Sequence, residues 1–275
     1  MASPERSSFQ RDGFVILQRM ICPQLCEALA GRIAHVVAGE SDTGRLPDSV
    51  DAGGGNGRRT IHVTNIWKSD SLFRNAVCSP ALGKLVAETA GWDGARVLQD
   101  QVFLKPGLGG PVAFHRDEAY MGEDVVTCWI ALDDCSPKDG TLEYIAGSHL
   151  WPGEGRAGFV RFLYDKKEQR RKLNACLREW NATQSEKGLD QLVEEDLQSV
   201  FVDVPRGGGS IHTGRTWHGS SENTSSRPRP GLSIHFVPVD CKLREGDGRW
   251  RIFGKYASPG SDSMSCEHFP ISWQR

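Results

Sequence analysis

No apolar run in this 275-residue chain approaches the length of a membrane span, so no membrane partner is expected. The formal net charge is only −2, which removes any bulk electrostatic case for nucleic acid or an anionic surface. None of the eight cysteines is spaced C-x-x-C, which argues against a structural zinc site. The opening MASPERSSFQRDGF lacks the apolar stretch of a secretory signal, and the closing ISWQR is not an SKL-type peroxisomal address. The cysteines then read as free thiols in a reducing compartment, and a cytoplasmic location is expected. The segment 41–59, rich in Gly, Asp and Arg and including Gly53-Gly54-Gly55, is no phosphate cradle, because it lacks the Lys-Ser/Thr of a P-loop. It reads as a loop over the mouth of a pocket.

What is present fits one domain over 1–275. Hydrophobic content is 38% and charged content 25%, ordinary for a globular chain long enough to bury a full core. Residues 8–19 read as a short helix end and then a strand, and short strand-like segments recur at 60–67, 96–105, around Phe114–Asp117, and at 124–132, 141–146, 200–205, 209–220 and 229–239, which suggests a sandwich or barrel. Helices are expected from Pro23, with Leu25, Leu29, Ile33 and Val36 on one face, and over 80–90. A helical insert at about 159–199 breaks the strand rhythm. In it Leu173, Cys176, Leu177 and Trp180 fall at helical spacing, among Lys166, Lys167, Arg170, Arg171, Lys172 and Arg178. The plain reading of those cations is a solvated face; the sharper one is a basic lid that receives an anionic substrate. A second short helix is expected over 189–199. The tail after Asp240 reads as loop, with WRIFGKY packing back.

The stretch that organises the chain is Phe114-His115-Arg116-Asp117. On a strand, His115 and Asp117 point to one face. An imidazole and a carboxylate side by side make two thirds of a site for a divalent transition metal, and a second histidine completes a facial triad with open positions. His218 is the best candidate for it. H-x-D alone is common by chance, and its ordinary reading is a core histidine with a hydrogen-bonded aspartate. His212 reads as a packing or supporting histidine, His149 as the end of a strand, and His235 as facing the core or a neighbour. His35 and His268 have no partner pattern.

Four segments in order, FQRDGFVIL, DQVFLKPGLGGPVAFHRD, WIALDDCSPKDGTLEYIAGSH and HGSSENTSSRPRPGLSIHF, resemble the phytanoyl-CoA dioxygenase family of Fe(II)/2-oxoglutarate oxygenases. The resemblance implies a mainly β fold with helices (α+β). Its core would be a double-stranded β-helix, a cupin-like jelly roll buttressed by helices. It implies His115, Asp117 and His218 as iron ligands, with 2-oxoglutarate and O2 as cosubstrates. Arg229, eleven residues after His218, would anchor the distal carboxylate of 2-oxoglutarate, since a guanidinium pairs bidentately with a carboxylate. Ser220 would donate to the same carboxylate. Trp129 and Gln101 fall where further cosubstrate contacts lie. Arg227 is the weaker match for the anchor, and His62 and Lys105 fall near pocket-facing strands without an assigned role.

Because Asp117 is present, hydroxylation or desaturation is expected, not the halogenation of relatives that lack this carboxylate. Two departures from the family pattern stand out: Ala146 where proline is common, and Arg116 where glutamine is frequent, expected to point away from the metal. The expected activity is hydroxylation of a C–H bond of a small organic substrate, with release of succinate and CO2. A specialised metabolite is preferred, with an acyl-CoA as the alternative. A non-catalytic cupin-like binder is the reading outside enzymology. A monomer is expected.

Overall fold

The computed structural model describes residues 3–53, 57–151, 166–187 and 199–275. Twelve strands are described: β1 (Phe14–Leu17), β2 (Ser49–Asp51), β3 (Ile61–Thr64), β4 (Gly94–Lys105), β5 (Val112–His115), β6 (Val126–Ala131), β7 (Leu142–Ile145), β8 (Ser199–Phe201), β9 (Gly209–Thr213), β10 (His218–Ser220), β11 (Arg229–Pro238) and β12 (Ile271–Gln274). The helices are α1 (Pro4–Asp12), α2 (Pro23–Val37), α3 (Ser71–Val77), α4 (Pro80–Ala90), α5 (Glu118–Met121), α6 (Lys166–Glu186) and α7 (Trp250–Phe253).

Two antiparallel sheets form. The larger runs β1-β9-β6-β11-β4-β3-β2, and β12 joins the start of β4; the smaller runs β5-β10-β7-β8. Most neighbours in both sheets are far apart in sequence, as in the jelly roll that the expectation named. The β11–β4 ladder sets Arg229 opposite Lys105 and Ser233 opposite Gln101.

The large sheet is covered on both faces, and strand parity sorts its residues. On β4, β6 and β11, Val102, Cys128, Ile130, Leu232, Ile234 and Phe236 are buried in the main core. That core also holds Leu29, Ile33 and Val36 of α2 with Leu82 and Val86 of α4. The alternate residues Gln99, Gln101, Thr127, Trp129, Ser233 and His235 face the space between the sheets. Burial on both sides explains why 124–132 reads as a nearly continuous apolar run.

Several expectations need correction. The strand carrying H-x-D stops at His115; Asp117 sits in helical conformation (φ −68°, ψ −28°) at the N-cap of α5. Its carboxylate reaches the same point as His115 through a turn, not through strand alternation. The segment 60–67 divides into β3 and a 3-10 turn, Ile66–Lys68. The supposed loop 41–59 contributes β2, and the tail contributes α7 and β12. α6 is helical over the basic stretch, with Leu177 buried. The side chains of 166–174 and 176 lie outside the described residues, so the lid reading is untouched; the helix expected at 189–199 lies outside them up to 198.

Candidate metal centre and cosubstrate pocket

Three donors come together at one end of the cavity between the sheets. β10 lies between β5 and β7, and its register sets His218 directly opposite His115. The ligand atoms of His115, Asp117 and His218 all lie within 4.8 Å of one another. Asp117 Oδ1 is 3.6 Å from His115 Nε2 and 3.7 Å from His218 Nε2.

Backbone carbonyls set both tautomers. His115 Nδ1 donates to Ala113 O at 2.8 Å, and His218 Nδ1 donates to Thr216 O at 2.9 Å. A carbonyl only accepts, so each Nδ1 carries the proton and each Nε2 keeps its lone pair for the shared point. Burial, helped by the nearby His115, pulls His218 well below the usual histidine range. Burial alone would raise Asp117, but His218, His212 and His235 outweigh it and hold the carboxyl well below its usual value. A neutral imidazole at His218 beside an ionised carboxylate at Asp117 suits a divalent metal.

A buried network holds the other carboxylate oxygen. Thr127 Oγ1 donates to Asp117 Oδ2 at 2.7 Å, and His235 Nδ1 lies 2.9 Å from Thr127 Oγ1. Thr127 spends its hydrogen on the carboxylate, so it accepts from His235 Nδ1–H. His235 is pulled down to about 4 by burial and is therefore neutral. Its Nε2 sits 3.2 Å from the Gln101 carboxamide. On the other side, His212 Nε2 is 3.4 Å from Asp117 Oδ2, while Tyr144 OH holds His212 Nδ1 at 2.8 Å. His212 thus supports the site, as its sequence position suggested. His235 is buried against a neighbour, Thr127. The role of Thr127 beside Asp117 has no counterpart in the sequence reading, although its parity with Trp129 on β6 was the available signal.

The wall beside the triad carries Arg229, only 3% exposed. Arg229 Nη2 donates to Gly140 O at 3.1 Å, and its centre lies 5.5 Å from the Trp129 ring. Its Nε and Nη1 have no acceptor among the described residues. Gly231 makes room for this group: a Cβ there would stand 2.8 Å from Trp129 Nε1 and 3.0 Å from Arg229 Nη1. Ser220 lines the same cavity, and its Oγ accepts from Lys105 Nζ at 2.7 Å. Trp129 and Gln101 are in the wall too, but the Gln101 carboxamide is directed to His235. Arg116 points away from the metal point, donating to Arg215 O and Trp151 O. Arg227 pairs with Asp139 at the surface, and His149 Nε2 contacts Gln10 O. Two unsatisfied guanidinium nitrogens, buried beside a three-donor cluster, fit a carboxylate-bearing cosubstrate bound next to Fe(II).

The cavity measures about 1040 Å³, at the upper end of the usual range for ligand pockets. Its far wall comes from segments that the sequence left as loop: Asp48 to Asp51 on one side, and Ile252, Phe253, Lys255 and Tyr256 on the other. They are fastened together. Lys68 Nζ pairs with Asp48 Oδ1 at 2.8 Å, Tyr256 OH donates to Asp48, and Lys68 lies 4.4 Å from the Tyr256 ring centre.

The family model for phytanoyl-CoA dioxygenase (PhyH) matches residues 9–231. The chain belongs to the phytanoyl-CoA dioxygenase family. It is 31% identical over 183 residues to a phytanoyl-CoA dioxygenase of Arabidopsis thaliana, covering 63% of this chain and 55% of that protein. The chain thus spans about half the length of that relative. It is 25% identical over 284 residues to phytanoyl-CoA dioxygenase domain-containing protein 1 of Bos taurus, covering 86% and 90%. Among solved structures, the non-heme alpha-ketoglutarate-dependent carbocyclase SnoK from nogalamycin biosynthesis superposes with a TM-score of 0.73 at 21% identity, over 98% of this chain and 96% of that one. That likeness shows the jelly-roll fold. The family match ends inside β11, so the far cavity wall formed by 252–256 lies beyond it.

Proposed function

We propose that this chain is an Fe(II)- and 2-oxoglutarate-dependent oxygenase that hydroxylates or desaturates a C–H bond of a small organic molecule. The observation that carries the reading is the convergence of His115 Nε2, Asp117 Oδ1 and His218 Nε2 beside an Arg229 whose buried donors lack acceptors. When bound, the iron supplies O2 activation coupled to oxidative decarboxylation of 2-oxoglutarate to succinate and CO2; the second oxygen atom goes to the substrate in the hydroxylating case.

In this reading the chain's own residues position and exclude. His115, Asp117 and His218 take one face of the metal and leave the other open. Arg229 fixes the far carboxylate of the cosubstrate, and Ser220 donates to it. Trp129 packs against the anchor and keeps water from it. Thr127 and His212 hold Asp117 so that Oδ1 faces the metal. No acid–base pair is required of the protein. One domain over 1–275 carries every group the reaction uses, and a monomer suffices.

For the substrate, we favour a compact ring-bearing specialised metabolite over an acyl-CoA. The support is the cavity's outer lining, where Phe103, Tyr120, Phe253 and Tyr256 offer aromatic faces. The fold neighbour named for nogalamycin biosynthesis agrees with that preference, while the Arabidopsis relative's name keeps acyl-CoA as the alternative. Anionic character in the substrate would suit Arg58, Arg59 and Lys255 in the outer wall.

The test is succinate release by the purified protein with Fe(II), ascorbate, O2 and 2-oxoglutarate, against one panel of polycyclic metabolites and one of acyl-CoA thioesters. Stimulation by a panel member, lost in Asp117→Ala, is expected. A protein that binds 2-oxoglutarate and metal but gives no succinate with either panel, nor any uncoupled turnover, is a binding module instead.

A further inference from the structure

Lys105 is wholly buried, and its carbon stem runs under the turn at Gly140. Its ammonium donates to Ser220 Oγ at 2.7 Å and to the Ser221 carbonyl. Across the ladder it pairs with Arg229, so two buried cations stand side by side at the closed end of the cavity. Neither makes an ion pair among the described residues. Of the acids around them, Glu143 Oε1 accepts from Ser221 Oγ at 2.9 Å, Asp139 pairs with Arg227 at 3.3 Å, and Glu222 is exposed. Burying two like charges without a counter-charge is costly. The arrangement is relieved when the ammonium gives up its proton or when an anion enters from the cavity side, which Ser220 and Arg229 line.

The hydrogen-bond direction sharpens this. An ammonium can only donate, so Ser220 Oγ must accept from Lys105. The hydroxyl proton of Ser220 is then free to point into the cavity, toward the place where Arg229 presents Nε and Nη1. We propose that Lys105 is a positioning residue of the cosubstrate site: it orients Ser220 as a donor and adds a second positive charge behind the distal carboxylate of 2-oxoglutarate. The proposal rests on the oxygenase reading above. Burial, reinforced by Arg229, pulls the Lys105 ammonium down to about 7, against the opposing pull of Cys135, Glu143 and Glu222. A carboxylate arriving next to Ser220 reverses that, so cosubstrate binding above neutral pH takes up a proton at Lys105.

The experiment is anaerobic calorimetric titration of the Fe(II)-loaded protein with 2-oxoglutarate and with 2-oxobutyrate, which has the same keto-acid end but no distal carboxylate. Lys105→Met should weaken 2-oxoglutarate by about tenfold or more, the loss of a charge-assisted contact, and change 2-oxobutyrate by less than about twofold. Ser220→Ala should share most of that loss, and the double variant should be little worse than Lys105→Met alone. In wild type, titrations in buffers of different ionisation enthalpy should show uptake approaching one proton at pH 8 and little at pH 6. This arm needs no variant, so it decides the matter even if Lys105→Met does not fold. Equal losses for both keto acids, unchanged 2-oxoglutarate affinity in Lys105→Met, or no proton uptake at either pH overturns the assignment of Lys105. Failure of the wild-type protein to bind 2-oxoglutarate at all overturns the oxygenase reading instead.

Discussion

The two ends of the cavity are built in opposite ways. At the closed end, partners fix the direction of the groups that meet at the metal point: two carbonyls set the imidazoles and Thr127 sets Asp117, while Arg229, held by Gly140, keeps two donors for a ligand. These groups sit on strands of the two sheets and on the tight turns that follow β5, precede β7 and join β9 to β10. At the open end, side chains of the segments around Asp48 and Tyr256 are held to one another through Asp48, Lys68 and Tyr256. A rigid floor can keep one chemistry, while a mouth made of connecting segments can change its substrate without disturbing the metal.

Substitutions should separate the two ends. The largest effect is expected from His218→Ala, which removes a metal donor; substrate-coupled succinate formation should fall by at least about a thousandfold, close to background. Arg229→Met leaves the metal point intact and should raise the KM for 2-oxoglutarate by roughly a hundredfold, with a smaller change in kcat. Thr127→Val keeps shape but drops the hydrogen bond to Asp117 Oδ2; Fe(II) affinity by anaerobic titration should weaken about tenfold. Tyr256→Phe at the mouth should alter the substrate KM by only a few-fold, about what one partly exposed hydrogen bond contributes, and leave metal and 2-oxoglutarate binding alone. A Tyr256→Phe protein that loses metal would break the comparison.

The smallest effect concerns the base of the mouth. Asp100 on β4 accepts from Trp67 N, and Asn65 Oδ1 accepts from Asp100 N. Burial pushes the Asp100 carboxyl up to about 8 from 3.8, despite backbone N–H groups that favour the charged form. The folded state therefore keeps a proton that the unfolded chain releases near pH 4. The associated stability is complete below that pH and is lost as pH rises through about 8. Asp100→Asn cannot titrate, so its melting temperature should vary less between pH 5 and 8.5 than that of wild type. The gain at the alkaline end should be roughly a few degrees. Parallel melting curves for the two proteins across that range would remove Asp100 as the cause.

Legibility in the sequence follows the same division. The strands of the large sheet were readable because β-branched and aromatic residues recur there between turn signals, and because one face must pack on α2 and α4. The residues that the structure gathers at the closed end were picked out in sequence as well: His115, Asp117, His218, Arg229 and Ser220 lie in segments with fixed order and spacing. The reason given for His115 and Asp117 was wrong in detail, since the strand ends between them and a helix N-cap turns the carboxylate back. Thr127 and the link from His235 to Asp117 were not legible because both residues are ordinary in a buried strand, and only the pairing of β6 with β11 brings them to Asp117. The open end was least legible. Segments such as 48–51 and 250–256 are short and carry no periodicity, and their place depends on contacts such as Tyr256 with Asp48, which no local pattern encodes.

The most direct measurement is an anaerobic Fe(II) titration of the wild-type and Asp117→Ala proteins, with and without 2-oxoglutarate. The account expects one iron per wild-type chain, bound more tightly when 2-oxoglutarate is present, and a loss of that site in the variant. Equal stoichiometry and affinity in the two proteins would contradict it, because the iron would then be held somewhere other than between His115, Asp117 and His218.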